Sequence, residues 1–248
     1  GAGMVRVATP GLDADPGLPT EAVGVGVPPA GWEVHVLDQL ERIGALVLGP
    51  GLGLGAPTVA SIQHLVGESG AVPLVVDGDG LTALGNGAAE ILARRGPEAP
   101  VVLTPHDGEF ARLAGGPPGN DRIAAARRLA ADCGAIVLLK GPTTVVAHPD
   151  GRARLSAVGD ARLATAGTGD VLSGMIGALL AQGADAFDAA AGAAWLHGRA
   201  AREGPSVGLV ASDLIAALPA VLATTSGFVR GIGRHDGQSR EQSAGRGA

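Results

Sequence analysis

Read for hydrophobic period, the chain alternates short apolar runs with amphipathic stretches, and Gly or Pro punctuates nearly every change. Residues 4–8, 45–48, 73–77, 101–104 and 135–140 are apolar runs of strand length. Residues 22–27 form a further short strand at the periphery. Between and after them, residues 32–42, 57–67, 81–84, 88–95, 121–133, 170–182, 187–202 and 212–222 carry helical patterning. The 121–133 helix has the plainest signals: Asp121 at its start, Gly134 at its end, and Ile123, Ala126, Leu129 and Ala130 on one face. Residues 143–147 and 153–157 flank Pro149-Asp150-Gly151 and read as a hairpin. Strand-helix alternation of this kind predicts an α/β fold, a mostly parallel sheet covered on both faces. From residue 224 the composition turns to Gly, Ser, Gln and Arg, so the expected organisation is one domain over 1–223 and a disordered tail over 224–248.

Composition narrows the function. With 46 % hydrophobic residues in 248, the chain has enough apolar material for a substantial core. No apolar run reaches membrane-spanning length: 135–139 stops at Lys140, and the long stretch after Val171 is broken by Asp185 and Asp188. The first residues do not pattern as a signal peptide, and the single cysteine, Cys133, excludes an internal disulfide framework, so a reducing cytoplasm is the expected location. Net charge is −6, with a net +2 on the tail and −8 on the body. An acidic body with 2 % aromatics lacks the basic stripe and stacking surface of a nucleic-acid binder. An anionic ligand therefore has to be held locally, by loops and helix ends. Of 18 basic residues, Lys140 alone is lysine, and it stands at the end of a strand run just before Gly141. A compact point charge kept there, in a chain that otherwise uses arginine, points to a phosphate or substrate contact.

The stretch with the most chemistry is Ala164-Thr165-Ala166-Gly167-Thr168-Gly169-Asp170-Val171-Leu172-Ser173-Gly174. A Gly-Thr-Gly loop entering a helix presents backbone N–H groups and the positive end of the helix dipole, which makes an anion site. Asp170 at its mouth either caps the helix or takes a proton from a hydroxyl. Asp77 and Asp79, at a strand's carboxyl end, either reach a hydrated magnesium beside phosphates or serve a turn and a helix cap. His106 and Glu109, in Thr104-Pro105-His106-Asp107-Gly108-Glu109, follow another strand and are candidates for substrate hydrogen bonding. The other five histidines show no metal spacing and receive no role, and Trp195 reads as core. Gly51-Leu52-Gly53-Leu54-Gly55-Ala56 fits a dinucleotide fingerprint with Asp77 as the ribose acid, but Pro50 and Pro57 interrupt it and it leaves Lys140 and the Gly-Thr-Gly-Asp loop without work. There is no G-x-x-x-x-G-K-[ST] loop.

Five stretches in order carry a resemblance: Gly-Pro-Gly-Leu-Gly (49–53), Val-Asp-Gly-Asp-Gly-Leu (76–81), Thr-Pro-His-Asp-Gly-Glu-Phe-Ala-Arg-Leu (104–113), Leu-Lys-Gly-Pro-Thr-Thr-Val-Val (139–146) and the 164–174 loop. Over residues 1–222 the chain resembles the ADP-dependent NAD(P)H-hydrate dehydratases of the ribokinase-like superfamily. The resemblance implies a three-layer α/β/α sandwich. It implies dehydration of the S epimer of hydrated NADH or NADPH, driven by ADP (ATP in eukaryotic relatives) with magnesium, through phosphorylation of the substrate hydroxyl and elimination of phosphate. Asp170 aligns with the acid that deprotonates that hydroxyl, and Gly167, Thr168 and Gly169 with the anion hole. Lys140, Gly141, Pro142, Thr143 and Thr144 align with the adenine-nucleotide loop. Gly51, Gly53 and His106 align with contacts to the hydrated nicotinamide nucleotide. Asp77, Asp79 and Glu109 remain the metal candidates. A homotetramer and an NAD(P)H-hydrate epimerase, fused or separate, are implied as partners, with no nucleic acid and no membrane. Family members usually carry a further strand and helix before the stretch at 1–10, including a substrate contact, so an N-terminally incomplete domain is expected. Gly78 replaces the usual Ala between two acids, and Asp160 stands where Asn is common. A ribokinase-like kinase for a vitamin-precursor alcohol and a catalytically silent nucleotide-binding module are the alternatives.

Overall fold

The computed structural model describes residues 2–12, 17–70 and 72–225. The expected tail therefore falls, from residue 226 onward, outside the described residues. The elements in order are β1 (Val5–Pro10), β2 (Ala22–Val27), α1 (Trp32–Leu37), β3 (Leu46–Leu48), α2 (Ala56–Glu68), β4 (Leu74–Val76), α3 (Asp79–Leu84), α4 (Ala88–Arg95), β5 (Val101–Leu103), α5 (Asp107–Ala114), α6 (Arg122–Cys133), β6 (Ile136–Leu139), β7 (Thr144–Ala147), β8 (Ala153–Ser156), α7 (Thr168–Ala181), α8 (Ala186–Glu203) and α9 (Ala211–Thr224).

The central sheet has the order β3-β4-β5-β6-β7-β8. Strands β3 to β6 are parallel, and β7 and β8 are added antiparallel. β1 and β2 pair with each other as a separate two-stranded parallel sheet, so the peripheral strand expected at 22–27 takes the first strand with it. Alternate residues of the central strands point to opposite layers. Leu74, Val76, Val101, Leu103, Val137 and Leu139 pack with residues of α1 to α6, whereas Val75, Val102, Ile136 and Leu138 pack with α7 and α8. This two-sided burial is why the strands carry continuous apolar runs without alternation. A third cluster, including Leu196, Leu209, Leu214 and Val221, seats α9 on the outer side of α8.

One expected helix is shorter than its patterning. Residues 32–42 divide into α1 and a separate 3-10 turn over Leu40–Arg42. The break follows Asp38: its N–H still bonds four residues back to Val34, but that of Gln39 reaches only to Val36, and the tightened turn ends the α-helix.

Topology gathers the loops of interest at one end. The chain leaves β3, β4, β5 and β6 at their carboxyl ends, turns through residues 140–143 into β7, and returns along β8 to the same end before α7 begins. At that end the loop after β3 is pressed against the loop after β4. Gly49 has φ +127°, and a Cβ there would lie 1.8 Å from the carbonyl oxygen of Asp77. Gly49→Ala is therefore expected to cost about 3 kcal/mol or more, because backbone has to move. Gly51→Ala, with φ +71° and open space around it, is expected to cost only the left-handed penalty of about 1–2 kcal/mol. Urea unfolding midpoints of the two variants, compared at equal m-value, check the difference.

Candidate active site

The loops at the carboxyl end of the sheet enclose a cleft of about 940 Å³. Its lining includes Asp77, His106, Glu109, Lys140, Gly141, Pro142, Thr144, Gly167, Thr168, Gly169 and Asp170, all singled out from sequence and drawn from four separate stretches. Thr143 belongs to the same 140–144 turn but is not part of the lining. Gly51, Gly53 and Asp79 also lie outside it, beside the cleft at the ends of β3 and β4. There the N–H of Gly53 donates to Asp79 Oδ2 at 2.8 Å, so Asp79 holds the glycine loop in place.

Lys140 continues the line of β6, its backbone N–H bonded to the carbonyl of Pro105. Its ammonium lies 2.8 Å from Asp77 Oδ1 and 3.6 Å from Glu109 Oε2. Asp77 is only 2 % exposed, and a carboxylate so placed needs compensation. Lys140 supplies the charge, and the hydroxyl of Ser173, on α7, donates to its other oxygen at 2.7 Å. The backbone of the anion loop is packed against this pair: a Cβ on Gly169 would stand 3.6 Å from Lys140 Nζ and 3.8 Å from Asp77 Oδ2. A fixed ammonium and the positive end of a 14-residue helix thus face the same space.

The loop itself is held by its threonine. The Thr168 hydroxyl is within 2.7 Å of the Leu163 carbonyl and 2.8 Å of the Thr165 carbonyl, and the Thr168 N–H donates to the same Thr165 carbonyl at 3.3 Å. Gly167 takes the left-handed conformation that the entry to the helix requires, at φ +84°. Asp170, in the first turn, is open to the cleft. The crowded loop atoms still remove part of its hydration, and this desolvation, with the nearby Asp77 charge, raises its carboxyl above the ordinary range, while Lys140 pulls it back. No side-chain cap closes α7, so Asp170 is not used as the helix cap.

His106 takes a structural role through Nδ1, and its Nε2 lies 3.5 Å from Glu109 Oε1. Its Nδ1 accepts from the backbone N–H groups of Gly108 and Glu109, while Glu109 Oε2 accepts from the His106 N–H at 2.8 Å, forming a reciprocal cap on α5. With Nδ1 accepting, the neutral ring carries its hydrogen on Nε2. The carboxylates expected as metal candidates are already engaged: Asp77 by Lys140 and Ser173, Asp79 by Gly53, Glu109 by His106 and Lys140. Among the described residues, no three Asp, Glu, His or Cys side chains converge as a ready-made metal cage. Such a donor set suits a hydrated Mg²⁺ carried mainly by phosphate oxygens and touched by one or two carboxylates.

Three further side chains shape the cleft and had been passed over in the sequence. Ser173 is one turn beyond Asp170 on α7. His197, on α8, is 2.9 Å from the Thr168 carbonyl. Arg122, at the start of α6, donates to the Lys140 carbonyl at 2.8 Å and to Asp107 at 2.7 Å, tying the loop after β6 to the start of α5. Periodicity marks Ser173 as sharing a face with Asp170; nothing local to the other two reveals their partners. Asp160 lines the cleft and is paired with Arg162 at 2.7 Å, which holds its carboxyl down to about 2. Trp195 lies against the α7–α9 cluster, as a core residue would.

The bifunctional NAD(P)H-hydrate repair enzyme Nnr of Mycobacterium leprae is 52 % identical over 160 residues, which is 64 % of this chain and 33 % of the relative. The ADP-dependent (S)-NAD(P)H-hydrate dehydratase of Neisseria meningitidis serogroup B is 42 % identical over 186 residues, 72 % of this chain and 62 % of the relative. The chain thus spans about a third of the first of these curated relatives and under two thirds of the second. Among solved structures, the ADP/ATP-dependent NAD(P)H-hydrate dehydratase of Bacillus subtilis, co-crystallised with ATP and Mg²⁺, superposes with a TM-score of 0.68 at 33 % identity, covering 82 % of this chain and 72 % of that one. The fold is ribokinase-like, a mostly parallel sheet between helical layers. The family model described as NAD(P)H-hydrate dehydratase matches residues 1–220, and the chain belongs to that family.

Proposed function

We propose that this protein dehydrates the S epimer of hydrated NADH or NADPH at the expense of ADP or ATP. The observation that carries this reading is the convergence of Lys140, the Gly167–Gly169 amides and Asp170 in one cleft at the start of α7. The family, and the names borne by its relatives, point the same way.

In this reading the terminal phosphoryl group of ADP passes to the substrate hydroxyl, leaving AMP. The C–O bond of the resulting ester then breaks and phosphate departs with its electron pair, the neighbouring ring carbon releases a proton, and the electrons of that C–H bond form the double bond that restores the reduced nicotinamide ring. Hydroxide is a poor leaving group and phosphate a good one, which is the reason to couple the steps. Asp170 accepts the hydroxyl proton as the oxygen attacks. The Gly167, Thr168 and Gly169 backbone holds the phosphoryl oxygens, and Lys140 neutralises charge beside them. Gly141, Pro142, Thr143 and Thr144 form the turn along which the adenine nucleotide lies. His106, through its Nε2–H, and the loop carrying Gly51 and Gly53 meet the hydrated nicotinamide nucleotide. Asp77 and Glu109 are the carboxylates that would hold a hydrated magnesium accompanying the nucleotide, whose charge would offset that of the phosphoryl group. The same reading takes in a cytoplasmic location, a homotetramer, and an epimerase that supplies the S epimer; among the described residues no helix is long and apolar enough to cross a membrane.

Supplying hydrated NADH with ADP and following reduced-nicotinamide absorbance tests the reading: the signal rises for a dehydratase. A kinase of another alcohol or a silent nucleotide-binding module returns none. In the same assay Asp170→Asn is expected to lose turnover by about 10²–10⁴-fold while keeping its affinity for ADP. A carboxyl raised in the folded state binds its proton more tightly there than in the unfolded chain. Ionising it therefore costs stability as pH rises above the ordinary Asp value of about 4. Thermal unfolding of Asp170→Asn at pH 7 should accordingly show a midpoint no lower than that of the parent. The base must be ionised to act, so the acidic limb of the parent's kcat profile is expected above the ordinary carboxylate range, and a limb at or below pH ~4 counts against Asp170 as the base.

A further inference from the structure

His197 lines the cleft yet has no part in the chemistry described above. It is 6 % exposed, on a helix whose neighbouring positions are mostly alanine and glycine. Its Nε2 lies 2.9 Å from the main-chain oxygen of Thr168. A carbonyl can only accept, so that nitrogen carries a hydrogen. Burial and the positive charge of Lys140 push the imidazole toward its neutral form, which leaves Nε2–H as its one donor.

The carbonyl it grips belongs to the peptide joining Thr168 to Gly169. In a planar trans peptide the C=O and the following N–H point in opposite directions. Fixing the Thr168 oxygen against α8 therefore fixes the Gly169 amide in the opposite sense, toward the open end of α7, where Lys140 stands. The other end of the same residue is already tied, through the Thr168 hydroxyl, to Leu163 and Thr165. The helix bearing His197 is itself placed tightly: a Cβ on the adjacent Gly198 would come within 2.6 Å of the Gly159 nitrogen, so α8 rests directly on the segment that leads into the anion loop.

We propose that His197 is a positioning residue for phosphoryl transfer, aiming the Gly169 amide and the neighbouring Asp170 by holding the Thr168 carbonyl. This rests on the nucleotide-dependent reading above and adds a residue from outside the five motifs. Two variants separate aiming from mere packing. His197→Leu fills similar volume without a donor, and His197→Gln returns an amide N–H at comparable reach. ADP affinity by titration calorimetry, kcat for hydrated NADH, and the melting midpoint are measured on the full chain. His197→Leu is expected to weaken ADP binding about tenfold and to lower kcat at least as much. His197→Gln is expected to bring ADP affinity back to within about threefold of the parent. Unchanged ADP affinity and kcat in His197→Leu would overturn the proposal. So would a glutamine variant that regains the parent's melting midpoint while binding ADP no better than the leucine variant. A parent chain that fails to bind ADP at all would instead sink the nucleotide-dependent reading, and this proposal with it.

Discussion

The ion pair between Lys140 and Asp77 is the constraint on which the rest of the site depends. It spans two parallel strands with a third between them, β6 to β4 across β5. The carboxylate is buried, and a buried charge that lost its partner would cost several kcal/mol, on the order of 3–5. The lysine is therefore not free to follow solvent; it is held over the start of α7. Ser173 brings the opposite helical layer into the same contact, so sheet and helix are registered to one another at the point where the anion loop is formed. Strength is a secondary matter here. What the pair supplies is position: one ammonium, fixed beside a helix end that already favours negative charge.

The sheet topology explains why these groups can meet. Four parallel strands deliver their carboxyl ends to one edge, which is where open α/β sheets bind ligands. The antiparallel hairpin of β7 and β8 then carries the chain away and back, so that the segment entering α7 arrives at the same edge. Close approach of the loops after β3 and β4 is allowed only because Gly49 and Gly80 lack side chains at their contact. The anion loop, the lysine turn and the capped start of α5 are thus neighbours by construction, with Arg122 fastening two of them together.

Much of this was open to reading from the residues. Strand and helix positions fall within a few residues of their patterning, since two-sided burial forces apolar runs and amphipathic faces force helices. Lys140 and Asp170 stood out because one was a compositional exception and the other an acid whose charge would repel the anion that its loop is built to hold. His106 stood out as a strand-end histidine, but its part in capping α5 through Nδ1 shows only in the folded chain. What local sequence did not reveal was the supporting contacts. Ser173 meets Asp77 across 96 residues, and His197 meets Thr168 across 29. A serine and a histidine inside Ala- and Gly-rich helices carry no local mark of such partners, because the pairing exists only after the layers have packed. Asp79, open in the sequence to a magnesium or a turn role, has its Oδ2 engaged by the Gly53 N–H brought alongside from the loop after β3, a contact that again exists only in the folded chain.

A cleft assembled from the ends of β4, β5 and β6 and the start of α7 has no counterpart in any short piece of the unfolded chain. A ligand that recognises it distinguishes native from denatured molecules completely, so its binding stabilises the domain by an amount that grows with the logarithm of its concentration relative to its dissociation constant. At a hundred times its dissociation constant that amounts to about 2.7 kcal/mol, comparable to a large core substitution. The working level of such a metabolite would then govern how long each molecule of this protein lasts, as well as how fast it turns over.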